Sequence, residues 1–362
     1  MADFNVLMIG GRRTGKTSVL ASMLDGFQDR FAGSNLTITS KITTSPVLNN
    51  KRNSLRNVFV SYNAHEEFDP DANAEPNFDR VDYEFNITIA GEKGSSYGLR
   101  FTDVPGEWFI ENSDFHTQTI EKLFDESNIL IIAVDTPHLM ECDDSKKGYG
   151  RFHKSFNGTR VFARNIIDRF VVRSGFASQK LVLFMPLKCE KYYTANRMNE
   201  IPLAIEKGYA NLLNYLGESY LKENCTVAVL PILTMGNFEF SRFKTDEKGE
   251  IIMHKVRPVP MYSLYRFPNE KSYKEGFSPK YCEQPLVYIL TYLLKMAQTV
   301  KYPTATGFWQ KIKQFGKNLL TFCGILKMAD DQDIQQAIIE ISNQLERNPE
   351  NGFKIIQNSL NL

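Results

Sequence analysis

Apolar positions in this chain gather into short, nearly continuous runs, separated by polar stretches with helical spacing, which is the alternation of a layered α/β protein. Residues 4–9, 128–135, 181–185 and 226–233 are almost wholly apolar, as expected for strands of a parallel sheet covered on both faces. Residues 81–89 alternate apolar and polar with period two, 91–96 read as a turn, and 97–102 return, so an antiparallel hairpin is predicted. Helical spacing follows the first strand and ends near Gly26. It recurs over 112–126, over 152–172 through Phe162, Ile166, Ile167 and Phe170, and over 195–216. Residues 285–298 are apolar all round, which predicts a helix packed against the sheet.

Two stretches resist assignment. Residues 34–80 are first rich in Thr, Ser and Asn and then acidic with a proline, and read as a functional lid or a partly mobile segment. Residues 237–280 read as irregular and mixed in charge. The predicted fold is three-layer α/β, with a mixed, mainly parallel sheet that includes an antiparallel hairpin and a ligand edge at the strand C-termini.

From residue 301 the pattern changes. Residues 299–329 carry Lys301, Lys311, Lys313, Lys317 and Lys327 and no acid, with Phe308, Trp309, Ile312, Phe315, Leu319, Leu320, Cys323 and Leu326 at helical spacing. Such a basic amphipathic segment either packs on its own domain, the commoner case, or touches an anionic membrane through 308–327. Ile334, Ile338, Ile341 and Leu345 then mark a second helix, which Pro349 breaks before a last short one. The expected division is a main domain over 1–300, with inserted loops at 34–80 and 237–280, and a helical extension over 301–362.

Charge and composition narrow the partners. With 43 basic and 42 acidic residues the formal charge is +1, so no global electrostatic case exists for nucleic acid. Cys142, Cys189, Cys225, Cys282 and Cys323 are scattered and odd in number, which points to reduced thiols and not to a disulfide frame or zinc site. No basic-then-apolar leader precedes the first strand, so a cytoplasmic location is expected. His65, His116, His138, His153 and His254 form no metal-ligand spacing and no Ser-His-Asp pattern.

The chemistry sits between the first strand and the first helix. Gly10-Gly11-Arg12-Arg13-Thr14-Gly15-Lys16-Thr17, followed by Ser18, fits the phosphate-binding loop G-x-x-x-x-G-K-[ST] in its strand-then-helix context. The glycines let the backbone wind tightly and aim its N–H groups at phosphate, while the helix N-terminus adds its positive end. Lys16 would bridge the terminal phosphates, and the Thr17 hydroxyl would ligate Mg²⁺. Asp103-Val104-Pro105-Gly106 closes the hairpin's return strand as a D-x-x-G motif. Its Asp can hold Mg²⁺ through a water, and the Gly106 N–H can approach the γ-phosphate.

On these two motifs, and on weaker matches at Lys188, Glu190 and Thr234-Met235-Gly236, the chain resembles the Ras-like GTPases of the translation-factor-related (TRAFAC) class, nearest to bacterial double-GTPase-type proteins. The resemblance covers roughly residues 3–300 and implies a P-loop NTPase fold, GTP and GDP as ligands, Mg²⁺ as cofactor and hydrolysis to GDP and phosphate. Lys188 and Glu190 would stand where the family reads guanine, with Leu187 replacing the usual Asn or Thr and Glu190 the usual Asp. Thr234 would belong to the last base-contacting loop. Glu107 stands where many relatives orient the attacking water with a glutamine, which implies hydrolysis that is slow without a partner. Arg12 and Arg13 either are solvated or supply transition-state charge, Arg13 being the catalytic candidate. The switch threonine that meets Mg²⁺ is among Thr37, Thr39, Thr43 and Thr44, with Thr44 preferred. Trp108-Phe109-Ile110 either packs beneath the next helix or is offered to a protein partner in one nucleotide state. An ATPase or phosphotransferase on the same loop, or a nucleotide-binding scaffold without turnover, are the alternatives.

Overall fold

A computed structural model describes residues 4–11, 13–31, 36–70, 79–89, 96–109, 114–141, 156–157, 166, 170, 179–255, 259–299 and 341–362. Arg12, Ile110, the segment 308–327 and most of the helix expected over 152–172 lie outside the described residues.

β1 (Phe4–Gly10) leads into α1 (Lys16–Arg30), followed by β2 (Leu36–Ser40), α2 (Ser45–Ser61) and the hairpin β3 (Val81–Ile89) and β4 (Ser96–Asp103). A single 3₁₀ turn at Gly106–Phe109, α3 (Asp114–Glu126), β5 (Ile129–Asp135) and α4 (Thr136–Met140) complete the first half. The second half runs β6 (Lys180–Leu187), α5 (Glu190–Thr194), α6 (Glu200–Gly208), α7 (Ala210–Leu216), α8 (Ser219–Lys222) and β7 (Cys225–Val229). It continues through β8 (Glu239–Phe243), β9 (Ser263–Arg266), α9 (Glu270–Glu275), α10 (Gln284–Thr299) and β10 (Lys354–Gln357).

Eight strands form one sheet in the order β10-β7-β6-β5-β1-β4-β3-β2. β1 pairs in parallel with β4 and β5, and β6 in parallel with β5 and β7, whereas β2, β3 and β10 are antiparallel to their neighbours. The central strands are apolar throughout because both faces are covered. Val6, Met8, Ile131 and Leu183 pack with Val19 and Met23 of α1 and with Leu290 of α10. Leu7, Ile9, Ile132 and Phe184 pack on the other side with Phe124 of α3 and with Tyr209 and Leu212. The three-layer, mainly parallel architecture with its hairpin is thus the one the sequence predicts.

Several boundaries differ, each for a local reason. α1 passes through Gly26 to Arg30, because a Cβ at Gly26 would stand only 3.2 Å from the Glu283 carboxylate, so the glycine serves close helix approach and not helix termination. The stretch expected to be a loop after residue 34 contains β2 and α2, the latter opened by Pro46 and buried through Leu48, Leu55 and Val58. The helix expected over 195–216 is split into α6 and α7 and starts late, with Asn196 in the left-handed region at φ 55° and Pro202 in the first turn of α6. Instead of a last short helix, the chain end makes one 3₁₀ turn at Pro349–Asn351 and then β10, which extends the main sheet beside β7. Leu360 and Leu362 are buried in the same core as β1.

The segment expected to be irregular, 237–280, folds into the β8–β9 hairpin and α9, and it joins α2 in a second, aromatic core. Leu55 and Val58 meet Phe238, Phe240, Tyr265 and Phe267 there. Phe68 locks the two insertions together: its N–H donates to the Tyr265 carbonyl at 2.9 Å, and the Tyr265 N–H returns to Phe68 at 2.8 Å. Phe59 lies 5.7 Å from Phe238 and 5.2 Å from Phe267 between ring centroids, within the range of favourable aromatic pairs.

Candidate functional site: a phosphate loop and a base-side loop at one sheet edge

The loop after β1 has the backbone its sequence demands. A Cβ on Gly10 would sit 2.6 Å from the Ala133 carbonyl oxygen of β5, so only glycine lets the strands approach this closely. Gly15 adopts φ 106° immediately before α1, and Arg13 takes the left-handed region at φ 61°, a conformation unusual for a residue with a side chain. The Thr14 hydroxyl donates to the Gly11 carbonyl at 2.9 Å and closes the loop from within. Ser18 is buried one residue beyond Thr17 in the first turn of α1.

Lys16 is buried and folded back over this loop. Its ammonium donates to the carbonyls of Gly10 at 2.9 Å and Gly11 at 3.3 Å, and lies 3.3 Å from Asp103 Oδ1. Asp103 ends β4, opposite Met8 of β1, so pairing of the strands delivers the carboxylate to the lysine. Burial raises the Asp103 pKa, and the Lys16 charge partly offsets this. The Thr17 hydroxyl lies 3.3 Å from the hydroxyl of Tyr83 on β3. Burial raises the Tyr83 pKa, which keeps the phenol protonated at neutral pH. Gly106 opens the 3₁₀ turn that carries Glu107 and Phe109, and Trp108 in that turn is buried with its ring stacked on His116 at 4.4 Å.

A donor set of one hydroxyl and one carboxylate fits Mg²⁺, which prefers oxygen and retains several waters alongside phosphate oxygens. Thr17 and Asp103 supply those groups at one sheet edge, with the Tyr83 hydroxyl beside Thr17. Among the described residues no group of three or more His, Cys, Asp or Glu forms a separate metal cluster.

The second loop follows β6. Lys188 has φ 61°, and its ammonium donates to the Arg13 carbonyl at 2.7 Å and to Asp135 Oδ2 at 2.9 Å. Asp135 ends β5 and also accepts from the His138 backbone N–H at 3.0 Å and contacts His138 Nδ1 at 2.6 Å through Oδ1. Burial would raise its pKa, but the Lys188 charge and then His138 outweigh that and hold the carboxyl well below the usual range. Asn157 fixes the same strand end, accepting from the Asp135 N–H at 2.8 Å and donating to its carbonyl at 3.2 Å. Leu187 and Thr234 both face the phosphate loop: a Cβ placed on Gly15 would be 3.7 Å from Leu187 Cδ1 and 3.8 Å from Thr234 Oγ1.

Glu190 opens α5 and is 4% exposed. Its Oε1 accepts from the Met235 N–H at 2.5 Å, whereas its Oε2 and the Thr234 hydroxyl are buried without a partner among the described residues. Burial pushes the Glu190 pKa up to about 8, opposed by the amides of Met235, Glu190 and Gly236 and by Lys188. Two orphaned polar atoms on the two base-side loops are the kind of deficit that a ligand's hydrogen-bonding edge would relieve.

The first-loop threonines do not share one environment. Thr44 is 2% exposed and its hydroxyl accepts from the Glu84 N–H at 2.8 Å, which ties α2 to β3. Thr37 lies on the edge strand and donates weakly to the Thr88 carbonyl at 3.5 Å, and Thr39 and Thr43 are exposed. Sequence reasoning missed Tyr83, Asp135, His138 and Asn157. Of these only Asp135 carried a local signal, as a carboxylate ending a wholly apolar strand at the ligand edge.

No family profile matches the sequence, and no curated protein matches it. Among solved structures, a GDP-bound point mutant of the S. thermophilus FeoB G-domain aligns over 94% of this chain and 90% of its own, at 10% identity and a TM-score of 0.24. That score is too low to carry an argument about this chain, and the functional reading rests on the residues themselves.

Proposed function

We propose that the chain binds a guanine nucleotide with Mg²⁺ at this edge and hydrolyses GTP slowly, as a switch or as the nucleotide-driven part of an assembly. The observation that carries the reading is the Lys188–Arg13 contact at 2.7 Å, which joins the base-side loop to the phosphate loop in one site. A lysine held in this way lays its stem along the place where a base attached to loop-bound phosphates would lie. Leu187 offers no polar group for a tie to that loop, and the tie runs instead from the Lys188 ammonium to the Arg13 carbonyl.

In this reading Gly11, Arg12, Arg13, Thr14, Gly15, Lys16, Thr17 and Ser18 cradle the phosphates by their amides and by the Lys16 charge. On nucleotide entry Lys16 would exchange its carbonyl partners for phosphate oxygens, and Asp103 and Thr17 would hold Mg²⁺. When bound, Mg²⁺ neutralises phosphate charge and polarises the phosphoryl oxygen. Glu190 offers its unpartnered oxygen to the N–H edge of the base, and Thr234 lines the same side. Gly106 presents its amide toward the terminal phosphate, Glu107 orients water, and Arg13 contributes transition-state charge.

Turnover is tested by phosphate release from GTP in the full chain and in Lys16→Ala. The account expects slow release from the parent and none above background from Lys16→Ala. Nucleotide binding without any release from the parent would reduce the protein to a non-hydrolysing binder.

A further inference from the structure

A hydroxyl acting as a metal ligand presents a lone pair to the metal, so its own proton must be directed elsewhere. If Thr17 binds Mg²⁺ as the proposed function requires, some neighbouring acceptor has to take that proton. In Thr44 the sequence offered a hydroxyl for the metal side of the site, yet the structure uses it to accept the Glu84 N–H, and it is buried there. No threonine occurs between residues 45 and 87, which includes the whole approach to β3.

The hydroxyl that does reach the site comes from the hairpin. Tyr83 is 3% exposed, and its position on β3 is set by pairing opposite Phe101 on β4, two residues before Asp103. That register carries its phenol to 3.3 Å from Thr17 Oγ1, on the strand paired with the one that Asp103 ends. A rigid aromatic stem on a paired strand fixes this oxygen with little loss of side-chain entropy, whereas a loop threonine must be ordered by its ligand.

We propose that Tyr83 is a positioning residue for Mg²⁺: its phenol oxygen accepts the Thr17 hydroxyl proton and turns the Thr17 lone pair toward the metal. The proposal rests on nucleotide binding at this loop. It gives a strand residue a part at the metal side of the site, and it makes metal affinity sensitive to the β3–β4 hairpin.

The test is a Mg²⁺ titration of fluorescent GDP bound to the full chain, comparing the parent with Tyr83→Phe, which removes only the hydroxyl. Loss of one such hydrogen bond should raise the Mg²⁺ concentration for half-maximal stabilisation about fivefold, while affinity in excess chelator stays unchanged. A merely structural role would weaken both. In a Thr17→Ala background Tyr83→Phe should have no further effect, since its target is gone; an additive effect overturns the proposal, as does an unchanged Mg²⁺ requirement in the single variant. Should Tyr83→Phe not fold, Mg²⁺ addition to the GDP-bound parent must perturb tyrosine absorbance, and must not do so in Thr17→Ala; equal spectra in the two overturn it. A parent that binds no nucleotide at all refutes the proposed function itself, which separates the two failures.

Discussion

The two ends of the candidate site are built by different means. The end assigned to the phosphates is one contiguous stretch of sequence, 10–17, whose described residues are shaped locally, by glycines at tight approaches and by a helix start, plus one carboxylate delivered by strand pairing. The base end is assembled from far-apart segments: Lys188 and Glu190 after β6, Asp135 and His138 after β5, Thr234 and Met235 after β7, and Tyr265 of β9 with its ring 5.9 Å from the Lys188 ammonium. A phosphate needs little beyond oriented amides and one cation, so a short motif suffices. A base is recognised by its edges, and the groups that meet them must be held rigidly by partners at long sequence separation. Both ends hold a buried lysine–carboxylate pair, Lys16 with Asp103 and Lys188 with Asp135, but the orphaned oxygens of Glu190 and Thr234 lie at the end assigned to the base.

The largest test of this difference is Lys188→Ala. It leaves Asp135 buried with its main cation gone, which should cost about 3 to 5 kcal/mol of stability in chemical denaturation. A loss below about 1 kcal/mol would mean that the buried pair is not what holds the base end together. The equivalent cut at the phosphate end, Lys16→Ala, removes a cation whose partners are mostly carbonyls. It should weaken nucleotide binding by about 100-fold in a titration while shifting the melting temperature little.

The aromatic core above the base end supplies the next test. Phe238 is fully buried among Phe59, Phe68, Tyr265 and Phe267. Phe238→Ala should cost about 3 kcal/mol, and hydrogen exchange should show lost protection at the Tyr265 amide with β1 and β5 unaffected. Uniform loss across the sheet would show that the two insertions are not a separate core.

The smallest expected effect is in pH. Glu190 has its pKa raised from 4.5 to about 8, so between those values the folded chain holds a proton that the unfolded chain has released. Its contribution to stability is full below 4.5 and is lost as the pH rises through 8. A base that donates N–H groups favours the ionised form, so binding releases a proton, and affinity should rise between about pH 6 and 8 by at most about tenfold per unit. Glu190→Gln should flatten that dependence. A parent already flat would mean that Glu190 does not meet the ligand.

How much of this was legible in the sequence follows the same division. The central strands, the hairpin and the glycine motif could be read because their signals are local: nearly wholly apolar runs, period-two alternation and a fixed residue spacing. α2 was hidden because its buried positions, Leu48, Leu55 and Val58, are few among Ser, Asn and Arg. The aromatic core was hidden because Phe68 and Tyr265 become neighbours only through the fold. Likewise β10 looked helical after Pro349, yet the edge of β7 offered it a partner that no local propensity records. At the site, Lys188 stood out through the family resemblance, whereas its partner Asp135 and the Tyr83 hydroxyl beside Thr17 depended on registers between strands.

The central claim is that this edge binds a guanine nucleotide, and competition against bound fluorescent GDP tests it most directly. The account predicts displacement by GTP and GDP but not by ATP, with the preference for guanine lost in Glu190→Ala. Equal displacement by ATP in the parent, or an unchanged preference in Glu190→Ala, would contradict it.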